Sequence, residues 1–98
     1  MNIPTEIIVA GITYKINLKD FIEIEGNRNY QGACRYTSTE IDVLSTTTIE
    51  RQQEILVHEL LHAILFESGF REHEEELVER VGKVLYQVLK DNKFNFKS

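Results

Sequence analysis

The sequence predicts an α+β protein, a small mostly antiparallel sheet followed by two packed helices. Two observations carry this. Residues 5–45 are rich in β-branched residues and turn formers. Residues 48–91 instead carry Leu, Glu, Val and Lys at helical spacing. A chain of 98 residues has room for one hydrophobic core, so residues 1–98 are expected to form a single domain.

Glu6–Ala10 (EIIVA) reads as a strand. Ile12, Tyr14, Ile16 and Leu18 alternate with Thr13, Lys15 and Asn17, the period of a half-buried strand, and Gly11 marks a bend between the two. Phe21–Ile24 suggests a further short strand. Gly26–Asn29 reads as a loop by composition. Gln31–Tyr36 and Glu40–Leu44, joined by Thr37-Ser38-Thr39, read as two strands of a hairpin.

The first helix is expected over about residues 48–68. Thr47 and Glu50 have capping-box spacing. Ile55–Phe66 is apolar almost all round except for His58, Glu59 and His62, as in a buried helix. Gly69 and Phe70 suit a Schellman ending, with Phe70 packed on Leu65. A second helix is expected over about residues 74–91. Its apolar stripe (Leu77, Val78, Val81, Val84, Leu85, Val88, Leu89) would face the first helix, because the connection is short.

Charge and composition narrow the function. The formal net charge is −5, and the few bases are scattered apart from Lys90, Lys93 and Lys97. No nucleic-acid partner is expected, since phosphate contacts need clustered Lys and Arg. The single cysteine, Cys34, excludes an intramolecular disulfide and fits a reducing compartment. Met1–Ala10 lacks a signal-peptide pattern, and no segment is long enough to span a membrane. A cytoplasmic protein without a membrane partner is therefore expected.

His58-Glu59-Leu60-Leu61-His62 carries the chemistry. On a helix, residues four apart lie one turn above each other on one face. Two imidazoles at that spacing can converge on one tetrahedral zinc. Glu59, about 100° further round, can reach a water there without ligating the metal. That is what a metal-assisted hydrolase needs.

A catalytic zinc site usually takes three protein ligands. The metzincin continuation is absent, because Leu65 and Ser68 stand where its Gly and third His would be. The candidates lie further on: His73, Glu74, Glu75, Glu76 and Glu79. On a helical wheel with Val81 at zero, Glu75 falls near 120°, on the rim of the stripe beside Val78 and Gly82, and Glu76 near −140°. Gly82 would let the helices approach closely on the Glu75 side. Glu75 is the assigned third ligand, with His73 its main rival. Glu79, one turn on, would accept a ligand histidine's Nδ1–H.

These residues resemble a known pattern. His58-Glu59-Leu60-Leu61-His62-Ala63, followed by Glu75-x-x-Val78-Glu79-x-Val81-Gly82, looks like the gluzincin arrangement of HExxH plus a downstream Glu. It is most similar to the ImmA/IrrE-like metallopeptidases and to small zincin-like proteins of phages and prophages. The resemblance covers Thr47–Asp91. Val78 and Glu79 stand where the family motif has Ala and Asn, and the spacer is short. The resemblance implies His58, His62 and Glu75 as zinc ligands and Glu59 as general base. The SprT-like group uses a later His, which keeps His73 open. Tyr30 and Tyr36 are the candidates for a transition-state donor.

The expected function is zinc-dependent hydrolysis of a peptide or protein substrate, paired as an extended strand along Glu40–Leu44. The alternative is a non-catalytic, zinc-stabilised regulatory or binding module of phage type.

Overall fold

The computed structural model describes residues 3–97. Its fold is α+β, with six strands and two helices. Strands β1 (Glu6–Val9) and β2 (Ile12–Lys19) form an antiparallel hairpin. Ala10 and Gly11 make its two-residue turn at φ 52° and 81°. That left-handed pair matches the twist of the flanking strands. Two short strands, β3 (Ile22–Ile24) and β4 (Asn27–Tyr30), pair with each other in a separate sheet. Then β5 (Gly32–Arg35) and β6 (Glu40–Leu44) form the expected hairpin. The main sheet has the order β1-β2-β6-β5. All its pairings are antiparallel except β2 with β6, which run parallel with Ile16 opposite Ile41.

Two expectations about the strands need correction. Part of the stretch read as a loop, Asn27 to Asn29, belongs to β4. Glu25 and Gly26 alone make the turn, at φ 52° and 80°, so the following polar residues are free to pair back. And Glu40–Leu44 is not an edge. It is flanked by β2 and β5, and the edge beside the helices' motif is β5.

Helix α1 (Ile49–Glu67) packs on β6 and β5, and helix α2 (Glu75–Asp91) packs on α1. The core lies between sheet and α1: Tyr14, Ile16, Ile41 and Val43 meet Ile55, Leu56 and Ala63. Tyr14 is fully buried, and its hydroxyl donates to Glu67 Oε2 at 2.6 Å. On the other face of β6, Asp42 is 4% exposed. Burial alone would raise its carboxyl. Hydrogen bonds from Arg35 and Asn17, with the Arg35 and Lys19 charges, outweigh burial and hold it below the usual value.

The start of α1 departs from the expected capping box by one residue. Thr48, not Thr47, is the cap, and its hydroxyl accepts from Arg51 N at 3.2 Å. Thr47 instead donates to the Leu44 carbonyl, and the buried Gln52 amide bonds the carbonyls of Ser45 and Thr47. These bonds fix the strand-to-helix turn. The other end of α1 is the expected Schellman motif. Gly69 has φ 101°, Phe70 N donates to Leu65 O at 2.9 Å, and Gly69 N to Phe66 O at 3.0 Å. The Phe70 side chain itself is 61% exposed.

Helix α2 is rotated relative to the expected stripe. Val78 and Gly82 are its buried positions, while Leu77, Val81 and Val84 are exposed. Likewise α1 is not covered all round, since Ile64 is exposed. A Cβ on Gly82 would sit 3.8 Å from His58 Cα. The small residue thus brings α2 against the motif turn of α1, which is the approach expected of it.

Candidate metal centre

His58, Glu59 and His62 lie on two adjoining turns of α1 that line the cleft with β5 and α2. The first turn of α2 lies opposite and carries Glu75 and, one turn on, Glu79. One ligand atom from each of His58, His62 and Glu75 lies within 4.8 Å of the others. His62 Nε2 is 2.7 Å from Glu75 Oε1, and His58 Nε2 is 3.8 Å from Glu75 Oε2. Two imidazoles and a carboxylate on three sides of one point can hold a metal ion. The donor set fits the expected group, because it is nitrogen and oxygen with three protein ligands.

The other candidates sort by position. Glu79 Oε2 lies 3.3 Å from His58 Nδ1, on the side of the ring away from the nitrogen that faces Glu75. His73 does not join the trio. Its Nδ1 lies 2.8 Å from His62 Nδ1, behind that ring, and the two rings meet edge to edge with centroids 5.0 Å apart. Glu74 caps α2 without a side-chain hydrogen bond, and Glu76 is exposed.

Glu59 points to β5 at Gly32. A Cβ on Gly32 would meet Ile55 Cγ2 at 2.6 Å and Glu59 Oε2 at 3.0 Å. The glycine is therefore needed for close approach of strand and helix. Gly32→Ala is expected to destabilise the fold by about 1–3 kcal/mol through overpacking and to displace the Glu59 carboxylate. A denaturant midpoint unchanged from wild type would contradict this.

The electrostatics of the pocket are those of crowded acids. Burial first, then the Glu75 and Asp42 charges, push the Glu59 carboxyl up to about 8. A bound cation would pull it back down. Burial holds His62 below the usual histidine value, against the opposing pull of Glu75. Tyr36 stacks on Phe66 at 4.1 Å and meets His73 edge-on. Burial, with the nearby Cys34, Glu59 and Glu75, pushes its hydroxyl up to about 12, so it stays a protonated donor. Tyr30, on β4, lies along the same cleft.

Cys34 sits on β5 beside this cluster, half-buried. Burial, then Glu59, Glu67 and Asp42, push its thiol up to about 12. Alkylation in the folded protein at pH 8 should be at least about tenfold slower than in the denatured chain, since the thiolate is the reactive form. Equal rates, measured by mass, would show Cys34 to be more open than its burial implies.

The trio opens onto a cleft of 1180 Å³ bounded by β5, the β3–β4 hairpin, α1 and α2. Among the described residues no helix is long and apolar enough to cross a membrane. No family model, curated protein or solved structure matches this chain.

Proposed function

We propose that this chain is a zinc-dependent metallopeptidase of gluzincin, zincin-like type, with His58, His62 and Glu75 as ligands and Glu59 as general base. The observation that carries the reading is the convergence of three ligand atoms in an open cleft whose lining also includes Glu59. A His₂Glu donor set with one open position is a hydrolytic-zinc arrangement. Zinc held there supplies Lewis acidity, acidifying a water and polarising the scissile carbonyl.

The chain's own residues do the rest. Glu59 takes the water proton and passes it to the leaving amine. Glu79 orients His58 from behind. The unpaired edge of β5 runs alongside Gly32, where Glu59 lies, and offers backbone groups to an extended peptide. This edge takes the substrate-pairing part first expected of Glu40–Leu44. Tyr36 adds a protonated hydroxyl to the same wall.

The cleft favours catalysis over a zinc-stabilised regulatory module, because a purely structural site is closed by its ligands. Native mass spectrometry with supplied zinc, followed by incubation with a mixed peptide library, tests the proposal. One zinc and zinc-dependent cleavage are expected. Absence of any bound metal in the wild type removes the proposal, and one tightly held zinc without cleavage of any peptide or protein leaves the non-catalytic module.

A further inference from the structure

The hydrogen-bond partners of His73 fix which of its nitrogens carries the proton. A backbone carbonyl only accepts, and the Phe70 oxygen lies 2.6 Å from His73 Nε2. His73 Nε2 therefore donates. In the neutral ring Nδ1 is then a bare acceptor. With both rings neutral, His62 Nδ1, 2.8 Å away, supplies the proton between them. That leaves His62 Nε2 with its lone pair free, 2.7 Å from Glu75 Oε1. A lone pair facing a carboxylate oxygen at that distance is relieved by a proton or by a metal cation held between the two groups.

We propose that His73 is a positioning residue: it relays the Phe70 carbonyl to His62 and fixes the tautomer that presents Nε2 to the metal. The proposal rests on the metal-centre reading for its consequence, not for its geometry. Both ends of the relay are tied to α1. His62 lies on the helix, and Phe70 is held by its own N–H to Leu65 O at 2.9 Å in the Schellman turn. The His62 and His73 rings meet edge to edge through this bond, their planes 25° apart. Tyr36 meets His73 edge-on, with ring centroids 6.3 Å apart.

The two ligand histidines are thus set differently. Behind His58 stands a carboxylate, Glu79. Behind His62 stands an imidazole that ends on a carbonyl. A carboxylate in that second place would add negative charge to a pocket that already holds Glu59 and Glu75, and an imidazole relay avoids it.

The test compares His73→Phe, which keeps a planar ring without an acceptor, with His73→Asn, which keeps an acceptor near Nδ1. Long-range proton–nitrogen correlation on metal-free protein at pH 8 reads the His62 ring directly. His62 Nδ1 should be protonated in the wild type and in His73→Asn, and bare in His73→Phe. Zinc affinity, by competition with a chelator, should fall about 10–100-fold in His73→Phe and recover in His73→Asn. A bare Nδ1 in the wild type, or an unchanged ring in His73→Phe, overturns the relay. Complete loss of zinc in both variants would make His73 a ligand instead. A wild type that binds no zinc overturns the metal centre alone, because the nitrogen signals still decide the relay.

Discussion

Glu75→Ala should bind no zinc under conditions where the wild type binds one equivalent, with affinity reduced at least about 100-fold. The substitution is a clean one. The Glu75 side chain is 68% exposed and sits at the first helical position of α2, so its removal leaves no cavity. The metal-free variant should fold like the wild type. Thermal melts make the difference visible, because a ligand that binds only the folded state stabilises it by mass action. At a zinc concentration about 100 times the wild-type dissociation constant the gain is about 2.7 kcal/mol. For a domain of this size that raises the midpoint by roughly 10–20 °C. In the variant the same zinc should give at most about 0.4 kcal/mol. His73→Ala, measured alongside, should keep one zinc with weakened affinity. A variant at position 75 that retains wild-type zinc-dependent stabilisation, with the effect lost at position 73, would exchange the two residues' roles.

Much of this geometry was legible in the sequence because it is local. His58 and His62 face one way because helices repeat every 3.6 residues. The end of α1 was readable from Gly69, since a left-handed residue there admits few alternatives. Glu75 was reachable from the wheel because Val78 and Gly82, its neighbours on one side, are the buried positions of α2. The wheel was nonetheless centred wrongly. Apolar periodicity reports every apolar side chain, and α2 has a wider apolar arc than α1 can cover. The two threonines before α1 were indistinguishable by type. The choice fell to Thr48 because Thr47 is engaged by the Leu44 carbonyl.

What was not legible depends on long-range pairing. No pattern within Glu40–Leu44 names its partners, and the parallel pairing with β2 spans all of β3, β4 and β5. One signal was available. Ile41, Asp42 and Val43 are consecutively buried, as in an interior strand, and two of the three are strongly apolar. Asp42 disguised that run, and its burial is possible only because Arg35, Lys19 and Asn17 arrive from neighbouring strands. His73 was likewise ambiguous. A histidine eleven residues after His62 can approach the ring from the metal side or from behind. The Schellman turn decides, because it sets the direction in which residues 70–74 leave α1.

Glu59→Gln should retain one zinc and lose peptide hydrolysis by about 10²–10⁴-fold in kcat/KM, the range supplied by a positioned general base. Gln keeps the shape that fits against Gly32 and Ile55, so packing is conserved. It also replaces a carboxylate whose burial disfavours the charged form, so the metal-free variant should be no less stable than the wild type. Folding, metal binding and proton transfer are thereby separated. Gly32→Ala supplies the contrasting case, in which the carboxylate is present but displaced, and both stability and turnover should fall. Hydrolysis undiminished in Glu59→Gln would remove Glu59 from the chemistry while leaving the His58, His62 and Glu75 site standing. Hydrolysis lost together with zinc would place Glu59 among the ligands, a role its contact with β5 at Gly32 argues against, because that contact turns the carboxylate toward the cleft wall rather than into the trio.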